Sequence, residues 1–316
     1  MNREQMWKNF DLGKEVQVSG TFIYNGLRCF HEMRTLDHAE EVFDFLYNLS
    51  VGFERLLKVA VILLEHNETQ NQGDFERSLI THNHIELLRR VNKHVPVCLS
   101  GPHHEFLQLL ATFYRNFRYD RFVLSMTWDP GKEKAALRSF LERRLQIALE
   151  PPSTVFPTQN AVRYRKYIGK LVAKISGELY ETIRQAASAL NLYTFELRSD
   201  SRAAKIFVKG ESEFRSEDVL WKELLVFFMN TEARSGILDF LRSIEPLEFD
   251  EALASDYLRC FQSEVEMSLV MDELEDLYAN LPDTGERLSQ MDLIGDPYVC
   301  FEPVDDDQKE PETSRS

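Results

Sequence analysis

The chain has 316 residues, 43% hydrophobic and 11% aromatic, enough to bury a real core in one large domain or two smaller ones. It contains no run of about 18 apolar residues, so no membrane-spanning helix is expected, and its first eight residues, Met1 to Lys8, lack the apolar core of a signal peptide, which points to the cytoplasm. The net charge of −15 sits mostly at one end: residues 262–316 hold 16 acidic and 3 basic residues, leaving the rest at a net of −2 and open to local basic patches.

In chain order, Glu15 to Tyr24 alternates partly and fits a short strand, while Phe22, Leu27 and Phe30 fit a helix equally well. From Glu40 to Asn67 the pattern is helical. Phe43, Leu46, Ser50, Phe53, Leu57, Ala60 and Leu64 share one face at 3,4 spacing, and Val42, Leu49, Leu56 and Leu63 widen it, so this helix packs on more than one side. Glu54 and Lys58 form an i,i+4 pair on it, expected to be solvated. A second helix is expected from about Asp74, with Ile80, His84, Leu87, Leu88 and Val91 on one face. His84 then points inward as a core histidine, and His82, two residues away, faces elsewhere.

Ser100-Gly101-Pro102 opens a third helix. Phe106, Leu110, Phe113 and Phe117 form its stripe, and Arg118 lies at the edge of that stripe, within reach of a groove. Arg115, Arg118 and Arg121 concentrate positive charge at its C-terminal end, where the helix dipole favours cations. These three helices predict Phe53, Leu57, Phe113 and Phe117 in one core. Asp129-Pro130 starts a further helix carrying Leu137, Phe140, Leu141, Leu145 and Leu149, and Pro151, Pro152 and Pro157 then break the chain.

Asn160 to Leu192 reads as a long helix with Ile168, Leu171, Val172, Ile175, Leu179 and Ile183 on its apolar side. Arg163, Lys166, Lys170 and Lys174 make a basic stripe on another side, with Tyr164 and Tyr167 nearby. That pattern suits a phosphate backbone with stacked bases, and suits a solvated face as well. Tyr193 to Arg198 fits a short strand. Helices follow over 216–230 and around Leu238 to Leu241, and a last, increasingly acidic one spans Ala252 to Asn280. Residues 303–316 are expected to be disordered. Four cysteines far apart and eight histidines, all before residue 105, give no metal-ligand set, and no cofactor motif is present.

The run Asn48-Leu-Ser-Val-Gly-Phe-Glu-Arg-Leu-Leu-Lys58, then Thr81-His-Asn-His-Ile-Glu-Leu-Leu88, then Phe113-Tyr114 to Arg118-Tyr119, resembles a HEPN domain over about the first half of the chain. The resemblance implies a small antiparallel helical bundle and RNA cleavage, or RNA or nucleotide binding, in bacterial defence or stress systems, with dimerisation common. Nuclease members carry an Arg followed four to six residues later by His on the last helix. Here Arg115-Asn116 fits the start, but Tyr119, Asp120 and Arg121 stand where the His would be. His82 or His84 can substitute only if the fold brings one to Arg115 or Arg118.

The expected fold is therefore mainly α: a HEPN-like bundle over 1–150, a second helical region over 151–262, and an acidic helix end and tail over 263–316. Three functions stay open. The first is RNA or nucleotide binding through Arg115, Arg118, Tyr119, Arg163, Lys166, Lys170 and Lys174. The second is a metal-independent ribonuclease with Arg118 and His82 in an unusual arrangement. The third is a non-enzymatic adaptor that meets a protein partner through its acidic tail. A homodimer is compatible with each.

Overall fold

A computed structural model describes residues 2–67, 69–120, 122, 124, 131–149, 157–261 and 267–301. The expectations for Arg121, for the Asp129-Pro130 helix start, for Pro151 and Pro152, and for the tail over 303–316 lie outside the described residues. Those residues are mainly helical and contain no β-strand, only an isolated antiparallel bridge between Thr35 and Gln159.

Two long helices form the centre: α1, Leu12–Glu32, and α2, Ala39–Glu65. They run antiparallel and approach closely because glycines face side chains across the contact. A Cβ on Gly26 would stand 2.8 Å from Leu49, and one on Gly52 would stand 2.7 Å from Ile23. The wide apolar arc of α2 has the consequence expected of it. Its residues from Leu49 to Leu63 are nearly all buried, and other helices cover its remaining sides. Glu15 to Tyr24 lies wholly in α1, so the helical alternative holds there and the strand does not. Val16, Ile23, Leu27 and Phe30 share the buried face.

Two helices replace the one expected from Asp74: α3, Gln72–Ser78, and α4, His84–Asn92. Asn71, not Asp74, caps α3, and Asn83 caps α4 by accepting the Glu86 N–H. Thr81 Oγ1 accepts the Asn83 N–H, a side-chain turn that competes with helix between them. Ile80 is consequently 80% exposed instead of buried.

Helix α5, Gly101–Thr112, follows Ser100, and a π-helical turn, Phe113–Phe117, leads into Arg118–Asp120. Phe53, Leu57 and Phe113 are fully buried, and Phe117 packs partly buried on the same core. Buried His84 donates from Nε2 to the Ser50 carbonyl at 2.8 Å, and the Ser50 hydroxyl reaches the Leu110 carbonyl at 3.3 Å, which ties α4, α2 and α5 together.

The expected boundary at 150/151 does not separate two bodies. After α6, Lys132–Leu145, the chain returns to the α1–α2 connection. There Leu36 N–H donates to Thr158 O at 2.9 Å, Asn160 N–H donates to Arg34 O at 2.8 Å, and Thr158 N–H donates to Asp37, which also pairs with Arg138 at 3.1 Å. The Asn160 side chain closes the end of α1 by donating to the Phe30 and Met33 carbonyls. Helix α7, Val162–Ala189, then lays Ile168, Leu171, Val172, Ile175, Leu179 and Ile183 into the same core. The domain therefore continues through α7. Tyr193 to Arg198 is a turn rather than a strand. Helix α8, Arg202–Phe207, packs on α1, and Tyr180 stacks on Phe207 at 5.2 Å.

The chain divides instead into residues 1–214 and 215–316. In the second unit the described helices are α9, Arg215–Asn230; α10, Gly236–Ser243; α11, Ala254–Cys260; α12, Met267–Ala279; and α13, Thr284–Leu293. Among its described residues Leu238 is the one buried hydrophobic side chain. Polar contacts hold it locally: the Tyr257 hydroxyl donates to Glu273 at 2.7 Å, and Arg287 donates to the Glu245 carbonyl at 2.7 Å.

Candidate functional site

On α2, Tyr47, Val51, Glu54 and Lys58 follow i, i+4, i+7 and i+11 and so share one helix face. That face looks across at Glu15 and Phe22 of α1 and lines a cleft of about 400 Å³, to which Leu79 and Tyr114 also contribute. Arg55 pairs with Glu15 at its edge. The wide apolar arc of α2 forces Glu54 into a packed setting, and its side chain is only 9% exposed. Burying a carboxylate is costly unless cations and donors offset the lost water. Here Lys58 Nζ lies 2.7 Å from Oε1, and His82 Nδ1 lies 2.9 Å from Oε2. The pair is thus not the solvated one expected, but part of a three-residue charge cluster.

An ionised carboxylate only accepts, so Nδ1 of His82 carries the proton it donates to Glu54. Nε2 is left with no hydrogen-bond partner among the described residues, on a side chain 45% exposed. A carboxylate-oriented imidazole with its second nitrogen open is a general-base arrangement.

The His82 ring also meets Tyr114 edge-on, with centroids 5.0 Å apart. Arg118 lies over the same Tyr114 ring at 3.8 Å and over Tyr119 at 4.5 Å, and donates to the Tyr119 hydroxyl at 2.6 Å. Arg118 Nε is buried with no hydrogen-bond partner among the described residues. Burial pushes the Tyr114 phenol above its ordinary range, against the pull of Arg118, so Tyr114 remains a neutral hydroxyl at physiological pH. Tyr47 lies 6.0 Å from Tyr114 and extends the aromatic surface toward Phe43.

Of the residues singled out in the sequence, His82, Arg118 and Tyr119 therefore share one site around Tyr114. His84 does not join it. It is fully buried, and loss of water holds its pKa down at about 4, so it is a neutral structural histidine. Arg115 is exposed, and its described hydrogen bond goes to the Ala111 carbonyl on its own helix. The basic residues of α7 are exposed as a stripe, but Lys174 is paired with Glu178 at 2.6 Å, and Glu178 also accepts the Cys98 N–H. Arg163 lies over Tyr164. No described contact joins the stripe to the His82 cluster.

Sequence reasoning missed Tyr47 and Tyr114 and undervalued Glu54 and Lys58. The i, i+4, i+7, i+11 spacing from Tyr47 was the available signal. Among the described residues no group of three His, Cys, Asp or Glu side chains is arranged to hold a metal ion, and no helix is long and apolar enough to cross a membrane. No protein-family model matches the chain, nor does any curated protein or solved structure.

Proposed function

We propose that this protein is an RNA- or nucleotide-binding protein of HEPN type, and that the ligand meets His82, Arg118, Tyr114 and Tyr119 beside the α1–α2 cleft. The observation that carries this reading is the convergence of His82 and Arg118 on one tyrosine, 3.8 Å from the guanidinium and 5.0 Å from the imidazole. An arginine supported by aromatic faces offers charge to a phosphate, and an exposed tyrosine beside it offers a surface to a base. Tyr119, 53% exposed, is that surface.

A ribonuclease is the second reading, favoured by the Glu54–His82 contact. His82 Nε2 would take the proton from a ribose 2′-hydroxyl as its oxygen attacks the adjacent phosphorus, and Arg118 would stabilise the charge that builds on the phosphoryl oxygens. The bond to the 5′-oxygen then breaks and that oxygen takes a proton from water, leaving a 2′,3′-cyclic phosphate and a 5′-hydroxyl end, while the proton on His82 returns to solvent.

The test incubates the purified protein with total RNA, with and without chelator, beside Arg118→Ala and His82→Ala forms. Binding that both substitutions weaken, without cleavage, supports the first reading. Cleavage that survives chelator and is lost in both variants supports the second. Neither binding nor cleavage by the unaltered protein rejects both.

A further inference from the structure

Helix α9 buries none of its side chains. Leu220, Leu224, Phe227 and Phe228 stand at i, i+4, i+7 and i+8, which is one face of a helix, and are 58%, 45%, 47% and 52% exposed. Trp221 flanks the stripe and stacks on Phe261 at 5.9 Å. An apolar stripe of this length left in water marks a surface that another element covers.

Charge indicates which kind of element. Residues 215–316 hold 26 acidic and 8 basic residues, a net of −18, against a net of +3 for residues 1–214. On α9 the two bases, Arg215 and Lys222, lie about 160–180° round the helix from Leu224, on the far side from the stripe. Exposed Glu223 lies within about 40° of Phe227, at the stripe's edge. A second copy of the same face would bring two strongly acidic units together, which electrostatics opposes. A helix with its own apolar stripe and lysine or arginine flanks satisfies the hydrophobic and the electrostatic demand together.

We propose that the Leu220–Phe228 face of α9 docks a basic amphipathic helix of a partner protein. This surface is independent of the His82 cluster and of any RNA chemistry there. The probe is a fluorescent 18-residue peptide of Leu and Lys in helical spacing, titrated with the full-length protein at physiological salt and read by anisotropy. The controls are the same residues scrambled so that no stripe forms, and a Leu/Glu twin.

The patterned Leu/Lys peptide should bind at least tenfold more tightly than either control. Leu224→Glu and Phe228→Glu should each weaken it at least tenfold, although both add negative charge. Because both side chains are exposed, the variants should keep the parent's circular dichroism and melting temperature. The proposal is overturned if the patterned peptide does not bind. It is overturned if the scrambled peptide or the glutamate variants bind equally well, since net charge alone then explains the attraction. It is also overturned if sedimentation shows a dimer that Leu224→Glu dissolves, which makes a second copy the occupant.

Discussion

Glu54 holds His82 across 28 residues of sequence: Oε2 lies 2.9 Å from Nδ1, while Lys58 occupies the other carboxylate oxygen at 2.7 Å. The carboxylate is buried and the imidazole is half in solvent, so the contact does more to orient the ring than to stabilise the fold. A double-mutant cycle with Glu54→Gln and His82→Ala, read by denaturant unfolding, should give a coupling of about 0.5–1 kcal/mol. His82→Ala alone should lower stability by a similar amount, since it leaves the buried Glu54 carboxylate with one partner fewer. Strict additivity of the two substitutions would mean that the pair does not form.

Acid should weaken the protein through His84. Its folded pKa is held down at about 4 against an ordinary value of 6.5, because burial removes the water that would solvate the imidazolium. The unfolded chain therefore binds the proton more readily. The stability this group contributes is fully present above about pH 6.5 and is lost as pH falls toward 4, amounting to about 3 kcal/mol over that window. Burial also lowers His103, which adds a smaller contribution of the same sign. Carboxylates held low by cations, such as Glu4 and Glu178, act at more acid pH. Unfolding free energies measured from pH 7 to 4 should fall steeply in the parent and much less in His84→Gln. Equal slopes would contradict a buried neutral His84.

The close approach of α1 and α2 sets a second limit. A Cβ on Gly52 would meet Ile23 Cγ1 at 2.7 Å, and also the Ile23 nitrogen and the Ser19 carbonyl at 3.1 Å. Two of those atoms are backbone and cannot rotate away. Gly52→Ala should lower unfolding stability by roughly 1–3 kcal/mol, although alanine is the better helix former. A half-buried helical glycine with open space at its Cβ position, Gly177, serves as the contrast. Gly177→Ala should be neutral or slightly stabilising in the same thermal melt.

The helices α2 and α7 were legible because their apolar residues recur at helical spacing over many turns, and the buried positions follow that pattern from Phe53 to Leu63 and from Ile168 to Ile183. Short elements were less legible. Ile80 fits a helical stripe by spacing, yet the Asn83 cap and the Thr81 turn decide its backbone, and Asn83 followed by Glu86 was the sequence signal for that stop and restart. The His82 geometry was hidden for the same reason. Angles counted along a helix do not apply to a residue in the turn before it. The partnership of Glu54 with His82, and of Tyr114 with Arg118, depends on which helices meet, and local spacing carries little of that information.

The last prediction concerns where the chain can be cut. A proline-based boundary after residue 150 would discard α7, whose Ile168, Leu171, Val172, Ile175, Leu179 and Ile183 are buried in the core of the first unit. It would also discard Asn160, which caps α1 through the Phe30 and Met33 carbonyls. A chain ending at residue 150 should therefore show no cooperative melt. A cut after Phe214 keeps that core intact. Phe214 is 1% exposed, meets Tyr24 edge-on at 5.2 Å and His31 at 5.3 Å, and has Lys205 and Arg28 over its ring at 4.5 and 5.4 Å. Truncating such a buried ring to alanine costs roughly 3–5 kcal/mol. Residues 1–214 should thus melt cooperatively with the helical signal of their own helices, and Phe214→Ala in that shortened chain should lower the midpoint by well over 5 °C. Circular dichroism melts of 1–150, 1–214 and 1–214 carrying Phe214→Ala decide the matter. A cooperative transition for 1–150, or an unchanged midpoint without the Phe214 ring, would place the division of the chain elsewhere.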